Sequence, residues 1–184
     1  MRLKRKFFNR SADAVARELL GKVLVRKFPD GSTKKGVIIE TEAYMGVEDK
    51  AAHSYGGRRT KRTEVMFGKS GVAYVYFTYG VHWMLNIITS KVGDPQGVLI
   101  RGVREIGGVG EVRGPGKVTK FFKIDGSFYG EDVVEGERFW VEDRGSLGRR
   151  GSKGEEIIAT ARVGINYAGD WKDKQLRFLL KEKK

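Results

Sequence analysis

The run at residues 72–88, VAYVYFTYGVHWMLNII, constrains the fold more than any other stretch of the sequence. Its aromatic and β-branched side chains favour strands, and a turn fits near Tyr79 and Gly80. We therefore predict two antiparallel strands joined as a hairpin. Tyr74 and Phe77 are expected in the core. Tyr79 stands at the tip of the turn, has no core to enter, and should be exposed.

The remaining pattern predicts a small α+β protein. Small and apolar residues recur at helical spacing from residue 12 to residue 20, with Ser11 as N-cap and Gly21 at the end of the helix. The sequence also predicts strands at 23–28, 36–44, 97–103, 138–142 and 157–165, a helix at 114–124 with Val118, Phe121 and Phe122 inward, and glycine-rich mobile loops at 107–116 and 145–154. We expect one domain over residues 1–184, a mixed, mostly antiparallel sheet with surrounding helices and a protruding hairpin.

Charge and composition narrow the functional classes. The chain has 36 Lys and Arg against 23 Asp and Glu, a formal net charge of +13, which attracts polyanions such as nucleic acid. It has no cysteine and only His53 and His82, so we predict no metal site and no cofactor, and we interpret His82 as structural. No apolar run approaches the roughly 18 residues that a membrane helix needs. We expect a cytoplasmic protein, associated with the nucleoid if the source is prokaryotic.

Two acids in a predicted strand require an explanation in so basic a chain. Strict alternation in VIIETEAY, residues 37–44, places Glu40, Glu42 and Tyr44 on one face together with Ile38. The simplest interpretation is an amphipathic strand whose acids face water. Against it, the strand leads into GVEDKAAHSYGGRRTKRT at 46–63, which suits contact with phosphates. An acid beside such a surface weakens binding to a polyanion, so catalysis is the alternative reason for its presence.

A carboxylate, a basic surface and exposed aromatic side chains together suit an enzyme that extrudes a nucleotide. The basic groups would hold the backbone, the rings would stack on the base, and the acid would activate water. Three other interpretations remain open from the residues alone: a non-catalytic nucleic-acid-binding module, an RNA-binding or ribosome-associated domain, and a metal-dependent nuclease.

Seven segments carry a resemblance to a known family. They are FFNRSADAVARELLGKVLVRKFPDG, ETEAY, EDKAAHSYGGRRT, MFGKSGVAYVYFTYGVHWMLNI, GVLIRGV, GPGKVTK and ARVGINYAGDWKDKQLRF, in this order from residue 7 to about residue 178. The chain resembles the alkyladenine DNA glycosylases, also called 3-methyladenine or methylpurine DNA glycosylases. The resemblance implies a monofunctional enzyme that flips alkylated or deaminated purines, of the 3-methyladenine, 7-methylguanine and hypoxanthine class, out of double-stranded DNA. It would hydrolyse the N-glycosidic bond and leave an abasic site. We expect it to act as a monomer.

The resemblance also implies catalytic roles. Glu42 matches the general base that activates water, and Glu40 matches a neighbouring acid without that role. Arg101 matches an arginine near the nucleophilic water, with the backbone of Val163 close to it.

Further positions match residues that hold the base and the duplex. Tyr44 and His53 would form one wall of the base pocket and Tyr76 the opposite wall, while Asn86 would disfavour guanine. Tyr79 would enter the minor groove and fill the space left by the flipped nucleotide. Four residues are expected to meet phosphates: Arg58, Thr60, Arg62 and Lys117.

Overall fold

A single antiparallel sheet dominates the computed structural model, which describes residues 1–108, 110–144 and 154–182. Within these ranges its nine strands are β1 (Val23–Lys27), β2 (Thr33–Tyr44), β3 (Ala73–Thr78), β4 (His82–Thr89), β5 (Gln96–Glu105), β6 (Glu111–Arg113), β7 (Phe139–Glu142), β8 (Glu155–Thr160) and β9 (Arg177–Glu182). The helices are α1 (Arg5–Phe8), α2 (Ala12–Leu19) and α3 (Pro115–Phe122), and short 3₁₀ turns include Gly46–Glu48 and Gly169–Asp173. The predicted α+β class and the mostly antiparallel sheet are confirmed.

Strand β2 is the centre of this sheet. The main path runs β3-β4-β5-β2-β1-β7, and β9 also pairs with β2, at Glu40–Glu42. Helix α2 packs on β2, where the Thr41 hydroxyl donates a 2.9 Å hydrogen bond to the carbonyl oxygen of Ala16. The predicted alternation of inward and outward residues fails here because β2 has protein on both faces. The exposed fraction is 3% for Glu40 and 0% for Glu42, so the interpretation of acids facing water is wrong.

An irregularity in the ladder lies next to the two acids. The β2–β5 register shifts between Ile38 and Glu40 and again between Glu40 and Thr41, which leaves Arg101 without a direct partner. Such bulges bend a strand and redirect its side chains. The strict alternation predicted for residues 37–44, which placed Ile38 on the face of Glu40, therefore does not hold across this point.

The hairpin and helix predictions are largely confirmed. β3 and β4 pair from Ala73 to Thr78, as expected for residues 72–88, and Tyr74 is buried. Phe77 was predicted in the core, but 46% of it is exposed, because it lies near the tip of the hairpin, where its ring contacts that of Trp83. Ser11 is the N-cap of α2, yet its hydroxyl donates to Asp13 and caps no backbone amide.

Two boundary predictions differ from the structure. β8 ends at Thr160, so the strand predicted at 157–165 does not continue into the segment 161–168. The stretch at 107–116 is not loop throughout, since it contains β6 and the start of α3. Phe121, which was predicted to face inward, is only partly buried. Of the loop predicted at 145–154, residues 145–153 lie outside the described residues. No helix in the described ranges has the length and apolar character to cross a bilayer.

Candidate active site

A cavity of about 300 Å³ gathers most of the residues singled out from the sequence. It lies between the β3–β4 hairpin, the segment that follows β2 and the segment that follows β8. Its lining includes Tyr44, His53, Tyr76, Tyr79, Asn86, Arg101 and Val163. Arg58, Thr60, Arg62 and Lys117 do not line it and are exposed. The structure thus brings together the residues expected to hold a nucleobase, and the four residues expected to contact phosphates lie outside the cavity.

The carboxyl group of Glu42 lies directly behind this lining. Its Oε1 accepts a 2.9 Å hydrogen bond from the Val163 backbone N–H, and its Oε2 accepts a 3.0 Å bond from the Tyr44 hydroxyl. Arg101 Nε is 3.5 Å from Oε1. These three partners all belong to the cavity lining. Glu42 is therefore a fully buried acid whose oxygens are fixed by the walls of the cavity.

Burial decides the protonation behaviour of Glu42. Removal from water raises the pKa of its carboxyl group, and Arg101, the Val163 amide, the Tyr44 hydroxyl and Arg162 oppose this rise by favouring the charged form. Burial also raises the pKa of the Tyr44 phenol well above its usual value, so this group stays a hydrogen-bond donor. An acid with a raised pKa beside a cavity is suited to accepting a proton near neutral pH.

The second acid, Glu40, has arginines for partners. Its Oε1 accepts hydrogen bonds from Arg101 Nε at 3.0 Å and Arg177 Nε at 2.8 Å, and Arg113 Nη1 lies 3.7 Å from Oε2. Arg101 therefore contacts both acids of the ETE sequence. The spacing of Glu40 and Glu42 is explained by a shared guanidinium: one carboxylate neutralises and orients Arg101, and the other faces the cavity lining.

Aromatic rings form a corner of the cavity. The His53 and Tyr76 rings meet edge to face at 4.7 Å between centroids, and His53 Nδ1 is 2.8 Å from the Tyr74 hydroxyl. The ring of His53 therefore contacts Tyr76, and the expected position of His53 and Tyr44 on one wall of a base pocket stays a prediction. Burial and the nearby positive charges of Arg62 and Arg58 lower the pKa of His53 to about 4. The imidazole is neutral at physiological pH.

The tip of the β3–β4 hairpin projects beside the cavity mouth. Tyr79 has an exposed fraction of 87%, and both Tyr79 and Gly80 have positive φ values, 52° and 65°. Primed hairpin turns need this backbone conformation, which a tyrosine rarely adopts. Val81 is also exposed. The tip is a small apolar projection from a basic protein.

The four residues expected to contact phosphates divide into two groups. Arg58, Thr60 and Lys117 are exposed, and Lys117 lies in the first turn of α3. Arg62 is also exposed, but its guanidinium lies 4.8 Å from the centroid of the Tyr76 ring, with Nη2 3.5 Å from His53 Nε2. Arg62 therefore supports the aromatic corner as well as facing solvent.

Sequence reasoning missed an ion pair beneath the cavity. Arg162 Nη1 and Nη2 lie 2.6 and 2.8 Å from the two carboxylate oxygens of Asp49, and both side chains are fully buried. Both residues stand in segments quoted for the resemblance, EDKAAHS and ARVG. A buried arginine and a buried aspartate need each other, but their 113-residue separation hides the pairing in the sequence.

Comparison with known proteins identifies the family of this chain. The family model described as Methylpurine-DNA glycosylase (MPG) matches residues 6–184. A protein of Desulfitobacterium hafniense (strain Y51) named "Putative 3-methyladenine DNA glycosylase" is 42% identical, over 98% of this chain and 96% of its own. A protein of the same name from Clostridium botulinum (strain Langeland) is 42% identical, over 99% of this chain and 97% of its own. The chain belongs to the methylpurine-DNA glycosylase family and is, by that membership, a DNA N-glycosylase.

Proposed function

We propose that this protein excises alkylated and deaminated purines from double-stranded DNA by means of a water molecule activated by Glu42. The observation that carries the proposal is a fully buried carboxyl group fixed by three residues of an aromatic cavity, Tyr44, Arg101 and Val163. Lesions of the 3-methyladenine, 7-methylguanine and hypoxanthine class fit this cavity chemistry. Residues 1–184 act as one glycosylase domain and as a monomer.

The reaction needs one base and one leaving group. Ionised Glu42 takes a proton from water, the oxygen bonds to C1′ of the flipped nucleotide, and the electrons of the glycosidic bond depart with the purine. Each Glu42 oxygen accepts one protein hydrogen bond, which leaves acceptor capacity for water. Arg101 holds positive charge beside this oxygen pair and steadies the ionised base. The Val163 backbone fixes the direction of Oε1.

The charge of the damaged purine determines whether it must be protonated by the protein as it leaves. A purine methylated at N3 or N7 is cationic and leaves with little protonation. Hypoxanthine is neutral, so it needs a proton or strong hydrogen bonds as it departs. We assign no residue as that acid, since His53, with a pKa of about 4, is already neutral at physiological pH.

Tyr44, Tyr76 and Asn86 divide the work of recognition. Stacking on aromatic side chains contributes about 1 to 3 kcal/mol per base but does not distinguish bases. Cationic lesions gain further from facing π electrons, and damaged bases are easier to extrude. Asn86, whose amide donates to the carbonyl oxygen of Tyr74 at 3.3 Å, faces the cavity and excludes guanine by crowding its amino group. If wild type and Asn86→Ala release undamaged guanine equally, Asn86 does not have this role.

Duplex DNA is the partner that fits the outer surface. Tyr79, which is exposed at the hairpin tip, would fill the gap left by an extruded nucleotide. The flanking backbone would be contacted by four exposed residues, Arg58, Thr60, Arg62 and Lys117. A prokaryotic cell holds this substrate in its cytoplasm, at the nucleoid. Affinity should fall steeply with salt, because each neutralised phosphate releases counterions.

The deciding experiment compares wild type with Glu42→Gln. Both are given duplexes that contain a single hypoxanthine or a single 3-methyladenine, and base release and DNA affinity are measured in parallel. The proposal expects unchanged affinity with excision nearly abolished. A non-catalytic binding module predicts no difference between the two proteins.

Two further arms test the other classes. Tighter binding to structured RNA than to lesion-containing duplex DNA would favour an RNA-binding domain. Loss of base release in EDTA would favour metal-dependent chemistry.

A further inference from the structure

The segment that follows β8 lacks the backbone pairing that fixes other parts of the site. Residues 161–168 belong to no strand or helix, yet this segment supplies the Val163 N–H that binds Glu42. Side-chain contacts must therefore hold it in place. They comprise the apolar packing of Ile165 and Ala168 on Ala51 and the ion pair between Arg162 and Asp49.

The Arg162 guanidinium joins both sides of the cavity. Besides binding both oxygens of Asp49, its Nη1 donates to the carbonyl oxygen of Ala43 at 2.9 Å, and its Cζ lies 4.7 Å from the centroid of the Tyr44 ring. Asp49 in turn accepts backbone N–H bonds from Met45 at 2.9 Å and Ala51 at 3.0 Å. One ion pair thus connects the end of β2, the segment leading to His53 and the segment carrying Val163.

The covalent geometry links this pair to Glu42. The Val163 nitrogen is bonded to the carbonyl carbon of Arg162, and a peptide unit is planar. Anchoring the Arg162 side chain limits how far this backbone can shift, so rotation about ψ of Arg162 is the main freedom left to the direction of the Val163 N–H. We propose that Arg162 and Asp49 are positioning residues, which aim the Val163 N–H at Glu42 and hold the carboxylate in its working orientation. This inference rests on the role proposed for Glu42.

A purely structural role is the alternative explanation. A buried ion pair is a weak source of stability, because desolvation offsets the attraction, and apolar side chains of similar volume often replace both partners without loss. Arg162 Nε, moreover, is buried without a hydrogen-bond partner in the described structure. Burying these two charges costs desolvation free energy that their attraction barely offsets, so stability alone does not account for the pair. A role in orienting the Val163 N–H does account for it.

The double variant Asp49→Leu/Arg162→Met separates the two roles. It removes both charges together, but it also takes away the partners of the Met45 and Ala51 N–H groups and of the Ala43 carbonyl, so it should unfold at a lower temperature than wild type while staying folded at the assay temperature. It should bind duplexes carrying a tetrahydrofuran abasic-site analogue within about twofold of wild type. Single-turnover excision at pH 7 should fall about tenfold to a hundredfold, the weight of one hydrogen bond to a charged group.

The pH profile adds a measurement that folding alone does not move. The titratable or charged groups facing Glu42 are Arg101, Tyr44, Tyr76 and Arg162. Removal of Arg162 and release of the Val163 N–H both take away support for the ionised carboxylate. The acid limb of the excision rate should therefore move to higher pH in the double variant.

Control variants distinguish a failure of the positioning role from a failure of the proposed function. Arg138→Met/Glu131→Leu removes another ion pair, with a 3.0 Å contact, whose members do not line the cavity, and it should keep the wild-type rate and pH profile. A folded Asp49→Leu/Arg162→Met protein with wild-type rate and acid limb would overturn the inference. Should the double variant fail to fold, Asp49→Asn is decisive by the same two measurements. A fully active Glu42→Gln protein would contradict the proposed function itself. If Glu42→Gln is inactive while the Asp49 and Arg162 variants keep the wild-type rate and pH profile, only the positioning role of Asp49 and Arg162 is contradicted.

Discussion

Tyr44→Phe removes a single oxygen atom from the site, the phenolic donor that lies 3.0 Å from Glu42 Oε2. The ring remains, so stacking on a base and contact with the Arg162 guanidinium are retained. What is lost is one of the groups that favour the ionised carboxylate against burial. The variant therefore tests how the site keeps Glu42 available as a base.

The magnitude follows from the hydrogen bond. A bond to a charged group contributes about 1.5 to 3 kcal/mol, and 1.36 kcal/mol corresponds to one pKa unit. Loss of the donor should raise the pKa of Glu42 further. Because ionised Glu42 is the active form, activity is present above this pKa and is lost as the pH falls through it. The acid limb should move to higher pH, and the excision rate at a fixed pH on that limb should fall about tenfold to a hundredfold.

Single-turnover excision between pH 5 and pH 9 measures this shift. A duplex with one hypoxanthine is suitable because the neutral base does not hydrolyse on its own during the assay. Tyr74→Phe is the matched control, since the Tyr74 hydroxyl contacts His53 and not Glu42, and its acid limb should stay in place. An unchanged limb in Tyr44→Phe, or a shift to lower pH, would refute the assignment of Glu42 as the base.

Three further outcomes follow from burial and charge. Glu42→Gln should have a higher thermal unfolding midpoint than wild type at pH 8 and the same midpoint below about pH 4. The pKa of Glu42 is higher in the folded state, so the stability of wild type falls as the pH rises through that pKa, whereas the Gln variant has no such loss. An NMR titration of His53 should show its inflection at about 4, and an inflection between pH 6 and 7 would contradict its burial. Tyr79→Ala, at an 87% exposed position, should leave the thermal unfolding midpoint unchanged. Its excision rate should fall about tenfold to a hundredfold, because roughly 1 to 3 kcal/mol of stacking is lost. A wild-type excision rate would contradict the proposal that Tyr79 fills the gap left by the flipped nucleotide.

The sequence alone was sufficient for features that depend on neighbours along the chain. The 72–88 hairpin follows from β-branched and aromatic residues around Tyr79 and Gly80, and the spacing of apolar residues predicts α2. The motifs that carry the resemblance identified the family and the polar and aromatic residues of the cavity lining that are proposed to act on the nucleotide. Helix and strand propensities and the spacing of apolar residues depend on neighbouring residues, so they can be read from the sequence without the tertiary structure.

Only the tertiary structure decided how the acids are used. Alternation placed Glu40 and Glu42 toward water, but β5, β9 and α2 bury β2, and a bulge redirects its side chains. The pairing of Asp49 with Arg162 and the contact between Val163 and Glu42 join residues more than 110 positions apart. The protonation state of a carboxyl group depends on the water it loses and the charges it gains on folding, and both come from parts of the chain that are distant in the sequence.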